Sequence, residues 1–181
     1  ADHSRDREEL LLNVVSAVTN LSYYVLDDDE DEGLFAASSA VVGHLVDVLA
    51  TERNVEAVSE AARALGNFSR EPRSRLAMRD AGADEALVEL LAHANRRVVF
   101  SAAGALVNLA ADPATNGVMI RGGGAKACLD LLRRTGLRDL ATAAVASKAL
   151  HNLLLVDDAP AHRVLGPQLF EKLAATLDEL I

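Results

Sequence analysis

Residues 101–110 read SAAGALVNLA, and the pattern they carry returns three more times along the chain. NVVSAVTNLS at 13–22, SEAARALGNFS at 59–69 and VASKALHNLL at 145–154 all align with it on one asparagine. Those asparagines, Asn20, Asn67, Asn108 and Asn152, are 47, 41 and 44 residues apart. Three places before each stands an alanine (Ala17, Ala64, Ala105, Ala149), and two before stands a large aliphatic residue (Val18, Leu65, Leu106, Leu150). The residue after each is large and apolar: Leu21, Phe68, Leu109, Leu153. Self-similarity at a fixed period of this length marks a repeat array, in which no unit buries its apolar face alone and neighbours must stack.

A second register keeps the same period. LVDVLA, LVELLA, CLDLLR and LFEKLA place Asp47, Glu89, Asp130 and Glu171 at spacings of 42, 41 and 41. Apolar residues three and four apart around each acid form an amphipathic helix with the acid turned to water. A third, shorter element lies between the two registers. EPRSRLAMRDAG and DPATNGVMIRGGG each open on an acid-Pro pair and close on glycine, a helix entry and a helix exit. Each unit of about 42 residues therefore reads as a short first helix, a middle helix and a long third helix, the size range of armadillo and HEAT units.

Composition agrees. Half of the 181 residues are hydrophobic, only 3% are aromatic and none is Trp, so the core is built from Ala, Leu and Val. Ala and Leu lead the helix propensities, which predicts an all-α protein. The net charge of −9 argues against binding nucleic acid through phosphate neutralisation and against docking on anionic membranes. Cys128 is the single cysteine, so no intrachain disulfide forms and a reducing, cytoplasmic setting is expected. It stands where the repeat pattern has leucine and reads as a small core residue. No apolar run approaches 18 residues. The chain opens inside a unit without an initiator Met, so it is expected to be a segment of a longer protein, with flanking repeats or partner chains covering both ends.

The stretch AMRDAGADEALVELLAHANRRVVFSAAGALVNLAAD at 77–112 resembles the armadillo repeat, with its Gly-Ala turn, Leu-Val-x-Leu-Leu middle helix and Ala-Leu-x-Asn-Leu third helix. The resemblance covers essentially the whole chain. It implies an armadillo-type right-handed α-solenoid of about four stacked three-helix repeats with incomplete terminal units. By that alignment a third helix runs from about 5 to 24 and an acidic loop over 27–33. Units follow at about 34–69, 70–111 and 112–155, and a half-unit of first and middle helix fills 156–181. Stacked third helices line the concave face of such a solenoid. Positions seven and four before each asparagine share its helix face. The expected partner groove is therefore outlined by Asn13, Ser16, Asn20, Glu60, Arg63, Asn67, Ser101, Gly104, Asn108, Lys148 and Asn152, with Val145 in the series.

In peptide-binding members of the family the equivalent asparagine bonds the backbone of an extended partner, and a tryptophan four residues earlier stacks on basic side chains. Here Ser16, Arg63, Gly104 and Lys148 take the tryptophan places, which removes the basis for holding lysine-rich import signals. A polar Asn near a helix end also satisfies neighbouring backbone, so the ladder has both a structural reading and a partner-contacting one. The expected function is a non-catalytic scaffold that binds a peptide or helix of a protein partner. The Ala-rich, acidic, Trp-free composition is similar to that of ciliary and axonemal armadillo proteins, which act as assembly or transport adaptors. The alternative is a cytosolic catenin-like signalling or adhesion adaptor, whose groove the family expects to be basic.

Other chemistry is thin. DDDEDE at 27–32 has the alternate acids of a calcium loop, but Glu32 stands where glycine is required and Ser38 where glutamate is. It takes the place of its unit's short first helix and reads as a solvated loop, with a docking surface for a basic partner as the second reading. The five histidines share no spacing with one another or with Cys128, and RGGGAK at 121–126 lacks the phosphate-loop spacing. No enzyme, metal or cofactor is expected.

Overall fold

The computed structural model describes residues 3–24, 32–155 and 161–180, which form ten α-helices. They are α1 (His3–Ser22), α2 (Glu32–Thr51), α3 (Val55–Phe68), α4 (Pro72–Asp80), α5 (Ala83–Leu90), α6 (Arg96–Ala111), α7 (Pro113–Arg121), α8 (Gly124–Thr135), α9 (Leu140–Leu155) and α10 (Ala161–Leu180). A 3-10 turn, Gly136–Arg138, joins α8 to α9. The units at 70–111 and 112–155 each hold the three expected helices, α4–α5–α6 and α7–α8–α9.

The caps explain the boundaries. The acid-Pro pairs are N-caps: Glu71 accepts hydrogen bonds from the N–H groups of Arg73 and Ser74, and Asp112 accepts one from Ala114, each with proline at the first helical position. Asn54 and Asn95 cap α3 and α6 in the same way. Asp112 also ends α6, and the chain turns by 119° there to start α7. Gly82 and Gly123 adopt φ of +74° and +84° between the first and middle helices, a conformation that costs any residue with a Cβ.

Where that glycine is missing, no turn divides the helix. One repeat back, Ala40 takes the place of Gly82, and α2 runs as one 20-residue helix. One repeat on from Gly123 stands Val164, and α10 is likewise a single helix with Pro167 inside it, in place of the expected first and middle helices. Helix α2 starts at Glu32, so the expected acidic loop 27–33 loses its last two residues to the helix, whose N-terminus favours an acid. Residues 27–31 lie outside the described residues.

Third helices form the spine: α1 packs on α3, α3 on α6, and α6 on α9. At about 100° per residue, each has four stripes set by distance from its asparagine. The asparagine and the residues four and seven before it form one. The opposite stripe holds Leu65 and Leu106, fully buried toward the first and middle helices. On one flank lie the residues ten, six and three before the asparagine and one after it. In α3, α6 and α9 all twelve of these residues are at most 4% exposed. They face the preceding repeat, where Ala105 of α6 lies against Gly66 of α3: a Cβ there would sit 3.8 Å from Ala105, an ordinary contact. The other flank, holding the residues one and eight before the asparagine, faces the following repeat. Asp47, Glu89, Asp130 and Glu171 are all exposed, as the second register requires.

Candidate functional site

The asparagine ladder is used inside the array. Asn67 donates its amide to the Thr19 carbonyl (3.1 Å) and the Ser22 hydroxyl (2.9 Å) of the preceding third helix. Asn108 donates to the Ser69 hydroxyl at 2.9 Å, and Asn152 to the Val107 carbonyl at 2.8 Å. The acceptors follow a rule: the carbonyl one before the preceding asparagine, or the hydroxyl two after it. Ser22 and Ser69 supply that hydroxyl and pass the hydrogen bond to Thr19 and Gly66. Ala110 has none, so Asn152 falls back on the carbonyl. Asn20 has no preceding third helix among the described residues and is exposed.

A second asparagine does comparable work without belonging to the ladder. Asn116 on α7 is fully buried and donates to the carbonyls of Ala110 (2.9 Å), Leu153 (3.2 Å) and Asn152 (3.3 Å), tying the ends of α6 and α9 together. Arg75 holds the same place one repeat earlier and donates to the Ser69 carbonyl at 2.9 Å. Its Nε also pairs with Asp112 at 2.6 Å. Partial burial pushes the Asp112 carboxyl up, but the hydrogen bond from Arg75 and those from the backbone of α7 outweigh it and hold it below its ordinary value. The common task of Arg75 and Asn116 was hidden because the two residue types differ.

The asparagine stripe is open. Asn13 and Ser16 of α1, Glu60 and Arg63 of α3 and Ser101 of α6 line one groove of about 520 Å³ that crosses all three third helices. Leu12, Ser59, Glu56, Arg96, Arg97 and Phe100 complete its walls. A neighbouring recess of about 350 Å³ is shared by Asn20, Arg63 and Asn67 with Thr19 and the Tyr23–Tyr24 pair. Arg63 borders both. Gly104, Asn108, Val145, Lys148 and Asn152 continue the stripe toward the C-terminus but line neither hollow, and the space over Gly104 is empty where a tryptophan ring would lie.

Three guanidinium groups face two carboxylates in the larger groove, against the acidic balance of the whole chain. Arg63 pairs with Glu60 at 3.0 Å. Arg96 grips Asp139 of the next unit through two nitrogens, at 2.6 and 2.8 Å. That hydrogen bond, and one from the Thr142 hydroxyl, hold the Asp139 carboxyl well below the usual carboxylate range. Arg97 is exposed with no side-chain partner among the described residues, and Phe100 on the groove wall is 40% exposed. Sequence reading named Arg63 but missed Arg97, eleven places before Asn108 and a turn beyond the register used to trace the groove, and Phe100, eight before it on the adjoining flank.

Among the described residues no cluster of His, Cys, Asp and Glu has the geometry of a metal site. Burial pushes the Cys128 thiol up to about 12, so it holds its proton in the core and lacks the thiolate a nucleophile needs. No single helix among them is long and apolar enough to cross a membrane.

Helical units with a shared stacking register and an open third-helix groove define an α-solenoid. Residues 71–111 match the model of the armadillo/β-catenin-like repeat, and the fold of the chain is that of an armadillo-type α-solenoid. A search of curated proteins gives no significant match. Among solved structures, an engineered protein from a structural genomics consortium is 26% identical, with a TM-score of 0.65 over 89% of this chain and 72% of its own. A designed armadillo repeat protein in complex with the peptide (KR)4 is 19% identical, with a TM-score of 0.61 over 93% and 82%. A computationally designed armadillo repeat protein for modular peptide recognition is 20% identical, with a TM-score of 0.57 over 97% and 94%. Armadillo arrays are typically non-enzymatic scaffolds for peptides, and proteins of this fold among the neighbours bind them.

Proposed function

We propose that this array is a non-catalytic scaffold that holds an extended segment of a protein partner in the groove across α1, α3 and α6. The observation that carries the reading is the convergence on one open hollow of the positions four and seven before the asparagine from α1 and α3 and the position seven before it from α6. The unpartnered Arg97, with Arg63 nearby and Phe100 exposed, suits a segment bearing a carboxylate next to an apolar side chain. The designed neighbour holds an alternating Lys-Arg peptide; a groove with three arginines and no tryptophan repels one.

Fluorescence anisotropy with labelled peptides of equal length tests this. An acidic-apolar peptide binds, (KR)4 does not, and Arg97→Glu weakens the acidic peptide about tenfold, the loss of one charge-assisted contact. Equal or tighter binding of (KR)4 overturns the charge assignment. As the cellular setting we infer a ciliary or axonemal assembly or transport adaptor in the cytoplasm, on the Ala-rich, Trp-free, acidic composition. The arginine-lined groove favours a second setting, a catenin-like signalling or adhesion adaptor that receives acidic segments. Localisation of the tagged protein in ciliated cells, at the axoneme or at junctions, separates the two.

A further inference from the structure

One carboxylate in the core stands where packing asks for none. Asp84 lies in the first turn of α5, and its places one repeat back and one repeat on are held by Val42 and Ala125, all three of them buried. Asp84 is only 3% exposed, and its Oδ2 is shut off from solvent with no hydrogen-bond partner among the described residues. The backbone N–H groups of Asp84 and Glu85 serve the carboxylate's other oxygen. A buried charge left in this state opposes folding unless a group of opposite charge joins it. Arg79 of α4 acts on it electrostatically, but its guanidinium is engaged by Asp80 through two nitrogens.

The same carboxylate lines a recess of about 230 Å³ where α5 packs on the end of α7. Glu85 and Glu89, both exposed, stand at it with Asp84, and its lining holds no basic residue among the described ones. The rest of the wall is apolar: Val88 of α5, Val118 and Met119 of α7. Those last two belong to the final turn of α7, the negative end of that helix, which stops at Gly122. Arg121 shares the turn, but its guanidinium folds back toward Gly117.

We propose that this recess receives a lysine side chain of a protein partner, its methylene stem against Val88, Val118 and Met119 and its ammonium beside Asp84. The walls narrow the ligand. The three acids do not form a metal-binding cluster, and a half-apolar lining suits a cation carried on a hydrocarbon stem. At about 30 Å³ per water the space takes several waters, room for one long side chain. Arginine's planar fork asks for both oxygens of a carboxylate, and here only one is free, whereas an ammonium acts as a point charge. The groove across α1, α3 and α6 shares no residue with the recess, so this inference stands whether or not the partner reading of that groove holds.

The test is an NMR titration of the full chain at neutral pH with the capped peptides Ala-Lys-Ala and Ala-norleucine-Ala, and with potassium chloride at matched ionic strength. Norleucine keeps the stem and lacks the ammonium. The lysine peptide is expected to shift the Asp84 carboxyl and the Val88 and Met119 methyl signals saturably, and the norleucine peptide to bind about tenfold more weakly. Asp84→Asn keeps the shape, removes the charge and brings the lysine peptide down to the level of the norleucine one, with circular dichroism confirming the fold. The comparison of the two peptides decides the matter without any variant. Arg97→Glu, in the groove, leaves the titration unchanged. The proposal is overturned by a lysine peptide that causes no shift up to its solubility limit, by equal binding of the two peptides, or by an Asp84→Asn variant that binds as wild type does. The same shifts from potassium chloride alone overturn it too, since they mark a site for a bare cation.

Discussion

At the residue scale, polar side chains do most of their work between repeats. Asn116 satisfies three carbonyls from inside the core, so Asn116→Ala removes those bonds and strands the acceptors without water. The expected cost is about 1–3 kcal/mol, read as a lower urea midpoint with an unchanged slope. Asp84 poses the opposite problem. It is 3% exposed on α5, where α8 has Ala125, and one of its carboxylate oxygens lacks a hydrogen-bond partner. Desolvation raises its carboxyl above the ordinary value, outweighing the backbone N–H groups that pull it down. The folded state therefore holds this proton more tightly than the unfolded chain does. The stability Asp84 contributes is full below the unfolded value and is lost as pH rises through the raised one. Asp84→Ala is expected to flatten that decline and to leave the protein about 1 kcal/mol more stable at neutral pH than wild type. Urea titrations from acidic to neutral pH check both statements, and a wild type whose stability shows no such decline contradicts them.

At the element scale, the third and middle helices were legible because one residue type sits at one offset in every unit: the asparagine and alanine of one register, the acid of the other. Helix junctions were legible only where the chemistry was explicit. Glu71-Pro72 and Asp112-Pro113 announce α4 and α7, and Gly82 and Gly123 announce the turns after them. The period suggested the same turn near Val164, but neither Val164 nor Ala40 enters the left-handed region cheaply, and the backbone stays helical through both. The asparagine stripe could be read from the register, while Arg97 and Phe100 could not, since Arg97 lies a further turn toward the start of α6 and Phe100 on the flank beside the stripe. Gly82 isolates what the turn is worth. A Cβ added there meets no atom within 4 Å, so the cost of Gly82→Ala is backbone strain alone, about 1–2 kcal/mol. Thermal melts of Gly82→Ala and Ala40→Gly separate turn from helix: the first loses that amount at a required left-handed residue, the second about 1 kcal/mol from a helix interior.

At the scale of the whole molecule, stability in a stacked array is a sum of unit terms and joint terms, each joint shared only by neighbours. Helix α6 takes part in two joints and packs on α5 and α7 as well, whereas α1 makes one joint and leaves its other flank open. Opening free energy should therefore be highest in α6 and fall toward both ends. Amide hydrogen exchange on the monomer is expected to be slowest in α6, intermediate in α3 and α9, and fastest in α1. Leu106→Ala opens a cavity in the central helix at a fully buried site and costs about 2–5 kcal/mol. That loss should appear as faster exchange in α3, α6 and α9 together, because α6 is the shared wall of both joints. The same truncation at Leu11 of α1, which is only half-buried, should quicken exchange in α1 and leave α9 unchanged. An α9 that responds equally to both substitutions would mean the array opens as one cooperative block and the nearest-neighbour picture does not hold for it.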